Sequence, residues 1–132
     1  MNALRTLTHL VAGISLAACA STGQQQGIKG LTAEEEPRAT VEVENHNWSD
    51  VDVFAVEGGI RYRLGTVVSM STVRLRLPRG VGRPGRDVRL VADPIGSPEV
   101  FTSQSLQVSP GQMLSMTLQN HLAISSVAVF NR

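Results

Sequence analysis

From about Arg38 to Arg132, apolar and polar side chains alternate with a period of two, in one short segment after another. A strand turns successive side chains to opposite faces, so this pattern admits half-buried strands and excludes amphipathic helices. Val41 and Val43 alternate with Glu42 and Glu44, and Val51, Val53 and Ala55 form the next face. Tyr62 and Leu64 alternate with Arg61 and Arg63, and Val73, Leu75 and Leu77 with Arg74 and Arg76. Val88, Leu90 and Ala92 follow, then Leu106 and Val108, Leu114, Met116 and Leu118, and last Val127 and Val129. Turn formers separate them: Asn45–Asp50, Gly58-Gly59, Ser69–Ser71, Pro78–Arg86, Pro94–Pro98, Pro110-Gly111 and Asn120-His121. About eight short strands at a spacing near ten residues predict an all-β fold, a single antiparallel β-sandwich of immunoglobulin-like or similar type.

The Gly58-Gly59 pair suits a two-residue hairpin turn that needs positive φ. That register sets Ala55 opposite Tyr62 and Val53 opposite Leu64 inside, with Val56 opposite Arg61 and Phe54 opposite Arg63 outside. An arginine beside a half-exposed phenylalanine gives either a cation–π contact or simple packing of its aliphatic stem. Strands that reverse direction in turn put the loops at 45–50, 69–71, 94–98 and 120–121 at one end. The loops at 58–59, 78–86 and 110–111 then share the other end with the chain leading into the domain. A crossing connection would break this scheme. The run Ser125–Asn131 is expected to be an open sheet edge, with unpaired backbone groups available to a partner.

The first 18 residues have a different character. Arg5 precedes an apolar stretch from Leu7 to Ala18, and small residues lead to Cys19, the one cysteine in the chain. A positive start, a short apolar middle and small residues at the cut describe a signal peptide. The stretch is too short for a permanent span, which needs about 20 residues. The quartet Leu16-Ala17-Ala18-Cys19 resembles the lipobox of bacterial lipoproteins. The resemblance implies diacylglycerol on the Cys19 sulfur, cleavage between Ala18 and Cys19, and acylation of the new amine. Two or three chains, at about 0.8 kcal/mol per buried methylene, hold a protein on a membrane. Ala20, in place of an aspartate that retains such proteins in the inner membrane, implies an outer-membrane address facing the periplasm.

The expected organisation is therefore a signal peptide over 1–18, a lipidated tether over 19–38 and a sandwich domain over 39–132. The tether holds Gln24-Gln25-Gln26 and Glu34-Glu35-Glu36-Pro37, a composition too polar to offset the entropy of ordering. A coil of that length spans roughly 25 Å. The domain itself looks like a type met in small, uncharacterised bacterial envelope proteins. The residues that carry this likeness are Val51-Asp52-Val53-Phe54, Arg63-Leu64-Gly65-Thr66-Val67, Val88–Pro94 and Ser109-Pro110-Gly111. It implies a β-sandwich and no activity.

Removing the first 18 of 132 residues leaves 114, one domain's worth, and removes Arg5 from a total of 12 basic and 11 acidic residues. That even balance gives no electrostatic footprint for nucleic acid, and 4% aromatics leave little for base stacking. No nucleophile elbow, phosphate loop or HExxH occurs, so no catalytic residues and no cofactor are expected. His46 and His121 fall in turns at one end near Trp48, Asp50, Asp93 and Glu99; their spacing does not favour a metal.

Besides that histidine pair, two further features remain as candidates for recognition. Eight arginines lie between Arg61 and Arg89, opposed there by Asp87 alone, and Arg79, Arg83 and Arg86 in the Pro78–Arg86 loop are candidate ligands for an anion. Basic groups beside an anionic membrane gain about 1 kcal/mol each. The plainer reading is a solvated face balanced by Glu42, Glu44, Asp50 and Asp52. Trp48 with His46 is the third candidate, an interaction hot spot, although such a tryptophan more often folds back to cap the core. The sequence thus points to a membrane-anchored, non-enzymatic envelope module with a structural or protein-binding role. The alternative is a module that reads anionic lipid, glycan or peptidoglycan through the arginine loop.

Overall fold

The computed structural model describes residues 37–130. The expected signal peptide, Cys19, the expected tether up to residue 36 and the last two residues lie outside the described residues. The described chain forms β1 (Thr40–Asn45), β2 (Val51–Glu57), β3 (Ile60–Val67), β4 (Ser71–Arg76), β5 (Asp87–Pro94), β6 (Phe101–Thr102), β7 (Leu106–Gln107), β8 (Met113–Leu118) and β9 (Ser126–Phe130). One sheet runs β4-β1-β8-β9, and the other runs β3-β2-β5-β6, with β7 also on β5. Their inner faces share one core, as expected of an all-β sandwich. Fully buried are Val41 and Val43 of β1, Val51, Val53 and Ala55 of β2, Val88, Leu90 and Ala92 of β5, and Leu114, Met116 and Leu118 of β8. These are the apolar positions of the period-two pattern.

The strand β6 was not legible, because two residues are too few for periodicity. It pairs with the far half of β5 (Val91↔Thr102), while β7 pairs with its start (Val88↔Leu106). Together they are one interrupted strand. Between them Ser103 keeps the ladder going: its N–H donates to the Leu90 carbonyl, and its Oγ accepts from the Leu90 N–H at 2.9 Å.

With β6 and β7 counted as one, all eight strands reverse direction in turn, and connections that cross between sheets do not disturb the order. The first and seventh of these, β1 and β8, therefore run the same way. They pair in parallel from Thr40↔Met113 to Asn45↔Leu118; every other strand pair is antiparallel. The loops sort as the sequence predicts. At the near pole the Thr40 N–H meets the Gln112 carbonyl and the Leu77 N–H meets that of Ala39. At the far pole the His46 N–H meets the Leu118 carbonyl and the Ile95 N–H meets that of Asp50. Strand β9 is a sheet edge, as expected of the run from Ser125; Asn131 lies outside the described residues.

The β2–β3 hairpin turns on Gly58 and Gly59 at φ +58° and +82°, which a β-carbon would strain. Ala55↔Tyr62, Val56↔Arg61 and Phe54↔Arg63 pair as predicted. Val53 does not face Leu64: a bulge places it opposite Gly65. The extra residue reverses which face each later side chain takes. Val67 enters the core, and Thr66 turns outward to Asp52. Gly65 fits there because a β-carbon would stand 3.0 Å from Leu75 Cδ2.

At the far pole Asn45, 1% exposed, ties two loops together. Its Nδ2 donates to the carbonyls of Ser49, Val67 and Val68 at 3.0, 3.2 and 3.1 Å, and its Oδ1 accepts from the Asn47 N–H. Replacing Asn45 with Ala orphans these groups and is expected to cost about 2–3 kcal/mol. Leu90→Ala, which opens a cavity at a fully buried site, is expected to cost about 2–5 kcal/mol. Urea unfolding of the purified protein checks both. A loss under about 0.5 kcal/mol at either position, the range of an ordinary surface change, would contradict the account.

Candidate functional site

The arginines divide into two groups by their partners. On the sheets three are paired with carboxylates: Arg74 with Glu42 at 2.7 Å, Arg63 with Asp52 at 2.8 Å and Arg61 with Asp93 at 3.2 Å. Arg61, and not the directly opposite Arg63, also lies over the Phe54 ring, 3.8 Å from its centroid. Arg89 reaches Ser105 Oγ at 3.3 Å, and Asp87 accepts from Gln107. These residues fit the solvated-face reading. Two of the carboxylates anticipated as partners, Glu42 and Asp52, do pair with arginines; Glu44 instead meets His46, and Asp50 accepts from the Ser69 N–H.

The near-pole loop is different. Arg79 and Arg83 have no hydrogen-bond or carboxylate partner among the described residues. They line a cleft of about 370 Å³ with Pro37, Arg38, Ala39, Pro78, Val81 and Pro110. Pro37, three residues before β1, stands in the wall of the cleft that holds these arginines. The prolines, Ala39 and Val81 give part of the lining an apolar character, and guanidinium groups are the only charged side chains in it. Such a cleft suits an anion carrying an apolar portion.

Arg86 has another task. Its Nη1 stands 3.5 Å from Glu57 Oε1, and the other carboxylate oxygen accepts the Gly82 N–H at 3.2 Å. Glu57 is only 6% exposed, so the pair fastens the loop to the end of β2 from within. Gly82 has φ +76°, and a β-carbon there would stand 3.3 Å from Val108 Cγ1. Sequence reading missed Glu57, because alternation marks position 57 as an inward position and a carboxylate there reads as a strand end. The signal was Glu57 standing in phase with Val51, Val53 and Ala55.

Trp48 does not cap the core. It is 76% exposed at the far pole, where its N–H donates to Asn120 Oδ1 at 3.2 Å. The core end is closed instead by Leu122 and by the hydrogen-bonded asparagines. His46 Nε2 lies 3.0 Å from Glu44 Oε1, and His121 is exposed on the next loop. Among the described residues no three His, Cys, Asp or Glu side chains gather as metal ligands. No helix among them is long and apolar enough to cross a membrane. No protein-family model matches this chain, and no curated protein matches it.

Two predictions concern these charges. Hydrogen bonds from the Thr66 hydroxyl and the Arg63 guanidinium, with the charges of Arg63 and Arg61, hold Asp52 below the ordinary carboxylate value of 3.8. A depressed folded-state pKa contributes stability above the unfolded value, and that contribution is lost as pH falls through the folded value. Stability is thus expected to decline in acid below about pH 4, and Asp52→Asn to decline less steeply over that window in pH-dependent urea titrations. Parallel curves for the two proteins would contradict the assignment. The second concerns the loop. Arg86→Ala leaves Glu57 buried with one partner fewer and is expected to cost about 1–3 kcal/mol. Arg79→Ala and Arg83→Ala are expected to stay within about 0.5 kcal/mol. Equal losses at all three positions would erase the distinction drawn here.

Proposed function

We propose that this chain is a membrane-anchored lipoprotein of the cell envelope, a non-enzymatic structural or protein-interaction module held by acyl chains on Cys19. The sequence Leu16-Ala17-Ala18-Cys19 supports the anchor, with cleavage between Ala18 and Cys19, and Ala20 supports an outer-membrane address facing the periplasm. One structural observation supports the orientation. Pro37, where the tether joins, shares a cleft with Arg79 and Arg83. A chain pulled toward a bilayer at Pro37 presents these two guanidiniums to its headgroups.

That same cleft favours a second reading, in which the module recognises anionic lipid, glycan or peptidoglycan. Lipid phosphate fits best, because each guanidinium offers a fork of donors to phosphate oxygens and the apolar wall accepts the adjoining glycerol.

Two measurements test these readings separately. Mass spectrometry of the mature N-terminus is expected to find a diacylglycerol thioether and an acylated amine at Cys19. An unmodified thiol or an intact leader would end the anchor reading. Cys19→Ser protein is expected to sediment with vesicles rich in phosphatidylglycerol at low salt and to release as salt screens the contact. Arg79→Ala with Arg83→Ala is expected to abolish that binding. Vesicle binding that survives both substitutions, or no binding at low salt, would reject headgroup recognition and leave the anchor untouched.

A further inference from the structure

Six of the eight exposed large apolar side chains among the described residues stand at the far pole, opposite the end that holds Pro37. Trp48, Met70, Ile95, Val100 and Ile124, each at least 51% exposed, come from all four far-pole loops. The loops are fixed to one another. The Trp48 N–H donates to Asn120, the Ile95 N–H to the Asp50 carbonyl, and the Ser69 N–H to Asp50 Oδ1 at 2.8 Å. The side chains therefore project from a rigid frame, so binding there forfeits little loop entropy.

Met70 adds an independent sign. Its φ is +54°, the one positive value at a residue other than glycine among the described residues. A β-carbon is strained in that region. Glycine or asparagine would relieve the strain, yet the turn presents an exposed thioether. Methionine is adaptable at binding surfaces, and strained residues concentrate where a surface has a task.

Beside this ridge lies a groove of about 490 Å³. Val100, Phe101, Leu122 and Ala123 give it an apolar lining, and Glu99 and His121 stand at its sides. The far-pole loops, residues 45–50, 68–70, 95–100 and 119–125, contain no lysine or arginine. They do contain Asp50 and Glu99.

We infer that the far-pole groove between Glu99–Phe101 and His121–Ala123, flanked by Trp48 and Ile124, is a docking site for a protein segment with an apolar anchor residue beside a lysine or arginine. The apolar residue fills the groove against Phe101 and Leu122, and its cationic neighbour meets Glu99. An anionic bilayer is a poor occupant, since a membrane-binding loop gains from the cations this pole lacks. A second copy docked pole to pole would bring Glu99 and Asp50 against their own images. The chemistry of the groove stands without the anchor; its orientation away from the bilayer rests on the anchor proposed above.

A library of random displayed dodecapeptides, selected on the full chain carrying Cys19→Ser, tests this without knowledge of the natural partner. The expected winners pair an aromatic or aliphatic residue with lysine or arginine and compete with one another. Titration of the corresponding synthetic peptides is expected to shift the emission of Trp48, the only tryptophan in the chain. Ile124→Asp and Glu99→Lys, both at exposed positions, are each expected to weaken binding at least about tenfold. Arg79→Ala is expected to leave it unchanged. A lysine-to-glutamate change in the peptide is expected to lose binding to the wild type and regain it with Glu99→Lys.

Four results would overturn the inference: no enrichment, peptides whose binding depends on Arg79 and Arg83, affinity indifferent to both far-pole substitutions, or no rescue by charge exchange. A Trp48 shift with neutral phosphatidylcholine vesicles, in the absence of peptide binding, would assign the pole to a bilayer. Self-association abolished by Ile124→Asp, again without peptide binding, would assign it to a second copy. An unmodified Cys19 would remove the anchor and leave the peptide result standing.

Discussion

The parallel ladder between β1 and β8 sets the frame for the rest of the domain. It joins residues 40–45 to residues 113–118, and hydrogen bonds from Thr40 to Gln112 and from His46 to Leu118 extend it at both ends. Strand β1 thereby sits inside its sheet, with β4 on its other side, and Val41 and Val43 are fully buried. The antiparallel pairings of the other strands set which way each of them runs. Loops from distant parts of the chain then collect at two poles, Pro110 beside Pro37 at one and Asn120 beside Trp48 at the other. Contacts of such long sequence separation close late, so this ladder is expected to be absent from the earliest folding events.

The two poles differ in chemistry because the charges are not evenly spread. On the sheet surfaces Arg74, Arg63 and Arg61 are matched across strands by Glu42, Asp52 and Asp93, so the positive charge of these three is cancelled where it stands. In the near-pole loop only Arg86 has a carboxylate, and Glu57 uses it to hold the backbone in place. Arg79 and Arg83 carry the residual charge, on a loop whose shape does not depend on them. At the far pole the cations are absent, and apolar side chains stand exposed on a frame secured by Asn45, Asn47 and Asp50. One end thus has the chemistry for anions and the other for apolar groups with a positive neighbour.

Much of this fold was legible because strand periodicity is local. The alternation from Val41 to Val129 marked the buried face of nearly every strand, and turn residues marked the poles. What escaped involved events of one or two residues. The bulge at Leu64 shifted the β2–β3 register, although Gly65 beside it was a visible cue. The short β6 left no period to detect. Of the two fates open to Trp48, hot spot or core cap, alternation cannot choose; Leu122 and the asparagine network occupy the core end, and Trp48 stands exposed.

By itself, the sequence determined that the chain is all-β, which faces are buried and at which end each loop emerges, since alternation and turn chemistry act over a few neighbouring residues. It also supplied the Leu16–Cys19 pattern on which the proposed anchor rests. Only the tertiary structure decided which arginines are neutralised and which are not. Partnership between side chains 29 to 32 residues apart, such as Arg86 with Glu57 and Arg74 with Glu42, depends on strand order and register. Those are set by long-range pairing, which no local pattern encodes.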